Sequence, residues 1–168
     1  VEYKALNNEE APVISVAIYE EAGSNDSKYI RAALNAIAGF SRRKIEINQP
    51  NTAFDIGFWL SDKAVTKNFK STIKDNGSIF QYEAGKIISE KSFINTREGS
   101  VGLNKRISAN QSLNKIWSDG FGNAILSTEK TDRLNILHFY SKLNPQWTEL
   151  VWDETFVKAL MPIVIKDD

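Results

Sequence analysis

The sequence predicts an α/β fold: a mostly parallel sheet flanked by helices, completed by a carboxy-terminal β-hairpin and a short helix. Three observations predict it. The continuous, β-branched run Val13 to Tyr19 reads as a strand buried on both faces. Strand-helix-strand patterning then occurs twice before residue 82, which is how parallel strands joined by right-handed crossovers read. Finally, Ala124 to Glu129 and Leu134 to Tyr140 flank the polar turn Lys130-Thr131-Asp132-Arg133, a hairpin pattern.

Taken in order, Val13 to Tyr19 is apolar on both faces and belongs inside the sheet, with strands on either side. Ile30, Ala33, Leu34, Ile37 and Phe40 then form one helical stripe, with Asp26 or Ser27 to cap its start and Gly39 near its end. Lys44 to Asn48 alternates polar residues with Ile45 and Ile47, as an edge strand does. Phe54 to Leu60 is the next strand. The link from Asn48 to Phe54 is shorter than the dozen or so residues of an ordinary parallel crossover. An extended hop over the central strand is the favoured reading, and an antiparallel edge strand is the alternative.

Ser61-Asp62 reads as a helix start, followed by Val65, Phe69 and Ile73 at steps of four, with Asn76-Gly77 as the stop. Ser78 to Tyr82 is another strand. Glu83 to Asn114 shows little periodicity and contains Gly85, Gly99 and Gly102, so it reads as loop. Asn144-Pro145 breaks the chain, and Asp153-Glu154 opens a helix carrying Phe156, Leu160 and Ile163, which Pro162 should end or bend.

Composition narrows the chemistry. The chain has no cysteine and one histidine, His138, which removes thiol chemistry and multi-histidine or cysteine zinc sites. No cofactor and no metal is expected. Lys plus Arg and Asp plus Glu each total 21, so no net field favours nucleic acid. No apolar run approaches the ~20 residues of a membrane helix, and the 168 residues read as one soluble domain, 1–168. A start on Val1 reads as a piece excised from a longer protein.

In an open α/β sheet, ligands bind beyond the carboxyl ends of the strands. That edge would carry Tyr19, Glu20, Glu21, Ser61, Asp62, Lys63, Tyr82 and Glu83. Of these, Tyr19, Glu20, Ser61 and Asp62 are the candidate ligand or partner residues, although for Ser61 and Asp62 the favoured reading is that they cap a helix. Trp147 and Trp152 crowd apolar surface into a short segment, as a local core seating the last helix or as a docking patch, with the core favoured. His138 has no identifiable partner in the sequence and is a poor general base. No catalytic residue is expected, because neither a nucleophile elbow nor a phosphate-binding glycine motif occurs.

Trp59-Leu60-Ser61-Asp62, Asp119-Gly120-Phe121-Gly122-Asn123, and the run His138-Phe139-Tyr140-Ser141, Asn144-Pro145-Gln146-Trp147 and Leu150-Val151-Trp152 resemble the carboxy-terminal region of bacterial BatA-like proteins. These are membrane proteins with an aerotolerance-regulator amino-terminal region and two transmembrane segments. The resemblance implies a flavodoxin-like or class I glutamine amidotransferase-like fold without the cysteine nucleophile. It also implies a membrane anchor outside the 168 residues, on an unspecified side of the membrane. The functional expectation is a non-enzymatic interaction domain of a cell-envelope protein, whose partners are other envelope or membrane proteins. A small-ligand sensor using the strand-end crevice is the alternative, and an atypical hydrolase using His138 ranks last.

Overall fold

The computed structural model describes residues 11–109 and 114–166. Its centre is one nine-stranded sheet in the order β2-β1-β3-β4-β9-β8-β7-β5-β6. The strands are β1 (Ile14–Glu20), β2 (Ile45–Ile47), β3 (Phe54–Leu60), β4 (Ile73–Tyr82), β5 (Ile87–Thr96), β6 (Gly99–Ile107), β7 (Asn114–Ser118), β8 (Ala124–Lys130) and β9 (Asn135–Phe139). The helices are α1 (Ser27–Ser41), α2 (Lys67–Ser71) and α3 (Glu154–Val164), with a 3-10 turn at Leu150–Trp152.

β1 lies between β2 and β3, parallel to both. The principal core joins Val16, Ile56, Phe58, Phe80 and Phe139 from the sheet to Ile30, Leu34 and Ile37 of α1 and Phe156 and Leu160 of α3. Each such side chain, fully buried, stabilises the fold by roughly 1.5–3 kcal/mol relative to exposure. The opposite face carries a smaller cluster of Trp59, Ile73, Ile79, Leu134 and Ile136, with Phe54 and Phe69 packed against it.

The expected mostly parallel sheet flanked by helices is not what forms. The pairs β1–β2, β1–β3, β3–β4 and β4–β9 are parallel, but β8–β9, β7–β8, β5–β7 and β5–β6 are antiparallel, so the sheet is mixed. The two long helices pack on each other and share one core cluster with a single face of the sheet, instead of flanking it on both. The stretch read as loop supplies two long strands, β5 and β6; its residues 110–113 lie outside the described residues. A register shift between Ser89 and Ser92 breaks their two-residue alternation, which hides them from a periodicity reading.

The second helix is also shorter than its spacing suggests. It starts at Lys67, where Thr66 caps it by accepting from the Phe69 amide at 3.1 Å, and ends at Ser71. Ile73 already belongs to β4, and Asn76-Gly77 lies within that strand. A Cβ on Gly77 would sit 2.8 Å from Lys74 O and 2.9 Å from Asp55 O, so only glycine fits there. In α1, Phe40 leaves the buried stripe and is 75% exposed, and the helix ends on Arg42 in a left-handed conformation at φ 57°. In α3, Val164 is buried in place of Ile163, and Pro162 is accommodated inside the last turn. Among the described residues no helix is long and apolar enough to cross a membrane.

The short link from β2 to β3 is a hop over β1, since β2 and β3 flank β1 in parallel. Asn48 anchors it. Its backbone amide donates to Val16 O at 2.8 Å, its Oδ1 accepts from the Ile18 amide at 2.7 Å, and its Nδ2 donates to Ile18 O at 3.2 Å. One carboxamide thus satisfies both backbone groups of Ile18 just where β2 has ended, which only a side chain with both donor and acceptor can do. Asn48 and Asn51 both take left-handed φ, 55° and 56°, a conformation asparagine tolerates better than most residues.

Candidate functional site: an aromatic cleft

The strap 48–53 and helix α2 stand as two walls on the smaller-core face of the sheet, and between them opens a cleft of about 800 Å³. Its floor is aromatic. Tyr19 stacks on Trp59 with ring centroids 4.3 Å apart and an interplanar angle of 18°, and Phe69 meets the other side of Trp59 edge-on at 5.0 Å. Trp59 is 4% exposed and Tyr19 39% exposed, so the indole is a buried support and the phenol ring the accessible surface. The indole is fixed in its plane by its Nε1, which donates to Lys63 O at 2.8 Å. Phe69 can come this close because residue 57 is glycine. A Cβ there would lie 2.7 Å from the Phe69 ring.

The walls are polar and uncharged. Asn48, Gln49, Asn51 and Thr52 come from the strap, and Thr66 and Asn68 from the start of α2. Among the described residues that line the cleft none is Asp, Glu, Lys, Arg or His, in a chain that is 25% charged. Tyr19 is thus the one member of the sequence-derived set that lines this site. The sequence reading missed the rest, and the legible signal was the unusually short link with Pro50 between two asparagines.

The other candidates fall elsewhere. Glu20 accepts from Ser27 N at 2.9 Å and Ser27 Oγ at 2.7 Å, holding the start of α1. Ser61, 3% exposed, donates from Oγ to Glu21 Oε1 at 2.5 Å, while Asp62 is exposed and does not cap α2. Asp26 accepts from Tyr82 Oη at 2.6 Å and from Asn144 Nδ2 at 3.3 Å, and Tyr82 Oη accepts from Leu143 N at 2.9 Å. Burial, reinforced by Asp26, pushes the Tyr82 phenol well above its ordinary range. Of the groups expected to converge on a ligand at the strand ends, Glu20, Glu21, Ser61 and Tyr82 are therefore engaged in hydrogen bonds within the fold.

Trp147 and Trp152 do not form one core beneath the last helix. Trp147 is 7% exposed in a separate cluster with Ile107, Ala124 and Tyr140. Trp152 is 69% exposed and meets only the edge of Tyr29 among the ring contacts, at 5.7 Å. Neither lines the cleft.

His138 has partners that its sequence position did not reveal. Its Nδ1 lies 2.8 Å from Glu83 Oε2 and its Nε2 lies 2.9 Å from Glu129 Oε1, which joins β9 to the end of β4 and to β8. Ionised carboxylates only accept, so a carboxylate on each ring nitrogen favours the protonated ring. The hydrogen bond to Glu83 raises its pKa, burial opposes this, and the bond to Glu129 adds to the rise. The two contacts make this ring a cross-strand tie. Among the described residues no group of three His, Cys, Asp or Glu could hold a metal ion.

No family model matches the sequence, and no curated protein matches it. Solved structures do. The fold is similar to part of a β-galactosidase from the psychrophilic Marinomonas ef1, with a TM-score of 0.55 and 10% identity over 89% of this chain and 28% of that one. It is similar also to part of an exo-β-1,4-mannosidase from Opitutaceae bacterium strain TAV5, with a TM-score of 0.56 and 7% identity over 95% of this chain and 35% of that one. The likeness is to glycosidases. At these identities it concerns the fold alone, and the chain spans about a third or less of either enzyme's length. It nevertheless overturns the resemblance to BatA-like proteins and the glutamine amidotransferase-like fold, and with them the expected envelope-protein interaction role. The strand-end sensor and the His138 hydrolase fall on the hydrogen bonds described above.

Proposed function

We propose that this chain is a saccharide-binding domain associated with glycoside-degrading enzymes, and that the sugar sits in the cleft between the strap and α2. The observation that carries the reading is Tyr19: a half-exposed ring backed by a buried indole, set among amide and hydroxyl side chains. A pyranose has one C–H-rich face and a rim of hydroxyls, so an aromatic floor with polar walls complements both. The fold likeness to parts of a β-galactosidase and a β-mannosidase supports the same assignment.

The domain binds and does not cleave. Glycoside hydrolysis ordinarily uses two carboxyl groups astride the scissile bond, and among the described residues no carboxylate lines the cleft. Titration calorimetry with β-1,4-mannobiose and β-1,4-galactobiose tests the reading. Saturable binding of one of them, weakened about tenfold by Tyr19→Ala, is expected, because a stacked ring contributes about 1 kcal/mol beyond its buried area. Absence of binding at about 10 mM of either sugar, weaker than any useful recognition free energy, refutes it.

A further inference from the structure

We infer that the cleft selects uncharged saccharides and excludes acidic ones such as uronates and sulfated sugars; this rests on the sugar-binding reading above and specifies its ligand class. The chain is one-quarter charged, yet the described residues that line the cleft carry no formal charge. Of the charged residues nearest its floor, Lys63 lies 3.7 Å from Glu21, Lys74 bonds Asp55 at 3.0 Å, and Lys67 and Lys70 of α2 line a separate surface depression with Asp132 and Arg133. A carboxylate or sulfate entering the cleft would lose water and meet no cation, which disfavours it strongly.

A hydroxyl group, donor and acceptor at once, matches a carboxamide that is both as well. The Asn48 amide is consumed by Ile18. No hydrogen bond among the described residues engages the side-chain amides of Gln49, Asn51 or Asn68. These three are therefore the groups that read the sugar's hydroxyls, above the Tyr19 ring.

The test compares whichever neutral disaccharide binds with digalacturonic acid, by calorimetry at about 20 mM and about 500 mM NaCl, conditions that change the screening length severalfold. The neutral sugar should bind equally at both salt concentrations, and the diacid should bind at least thirtyfold more weakly. Asn51→Lys should bring the diacid to within threefold of the neutral sugar at low salt, and that gain should vanish at high salt. If the wild type takes both sugars equally and Tyr19→Ala weakens both, the selectivity is refuted while the binding site stands. If neither sugar binds, the binding site and its selectivity are refuted together.

Discussion

Replacing Trp147 by alanine tests how the end of the chain is held, because it removes the side chain's packing while keeping the backbone's hydrogen bonds. Its backbone extends the sheet past β6: Trp147 O accepts from Asn104 N at 2.8 Å and Lys105 N at 3.2 Å, and Glu149 N donates to Gly102 O at 2.9 Å. Its side chain fills the cluster of Ile107, Ala124 and Tyr140, with the Lys105 and Lys142 ammonium groups 5.8 and 5.2 Å from the ring centre. Truncating a buried tryptophan costs about 3–5 kcal/mol. The low end, about 3 kcal/mol, applies here because the cluster is small and peripheral and can partly collapse; the loss of both cation–π contacts falls within that figure. With a urea slope of about 2 kcal/mol per molar, the unfolding midpoint should drop by about 1.5 M with the slope unchanged. Trp152→Ala, losing an exposed ring and one edge contact, should shift it by less than about 0.5 M. Equal shifts, or a larger one for Trp152→Ala, would refute this account of the carboxy-terminal segment.

The His138 tie gives stability a pH dependence of defined sign. Its folded pKa is raised, so the contribution is complete below its unfolded pKa of about 6.5 and is lost as pH rises through the folded value. The melting temperature of the wild type should therefore exceed that of His138→Gln by more near pH 6 than near pH 9, and a constant gap would contradict the imidazolium assignment. Gly57→Ala should cost about 1–3 kcal/mol and weaken sugar binding by displacing Phe69, with a much smaller cost in a Phe69→Ala background; denaturation of the double-mutant set decides. Asp26→Ala leaves the buried Tyr82 hydroxyl without its acceptor and should destabilise the fold by about 1–3 kcal/mol in the same assay.

The parts of the fold that could be read from the residues were those whose pattern is local. Val13 to Tyr19 is apolar on both faces because β2 and β3 flank it and packing covers it, and Ala124 to Phe139 reads as a hairpin because its turn is polar and its flanks are β-branched. The readings that failed depended on non-local pairing. Ile73 fits a helical step of four after Phe69, but pairing with Phe54 draws it into β4. Phe40 fits the α1 stripe but lies where nothing covers it. β5 and β6 are the exception: they pair as a local hairpin with Thr96 opposite Gly99, and the register shift between Ser89 and Ser92 breaks the alternation that would have shown them. For the site, Tyr19 was visible as the polar-tipped end of an apolar strand. The walls were not, because neutral asparagines and threonines in a loop carry no signature until the loop's path across the sheet is known.

The way the strap is fastened has an evolutionary consequence. Its hold on the sheet runs through residue 48, whose side chain finishes the edge that β2 leaves incomplete. Between that anchor and the first residue of β3, positions 49 to 53 contribute no rung to the ladder. Substitution there alters the wall of the cleft while leaving the nine-stranded scaffold intact. The cleft wall can thus vary separately from the scaffold, at little cost to folding except at Asn51, whose left-handed φ of 56° restricts what can replace it.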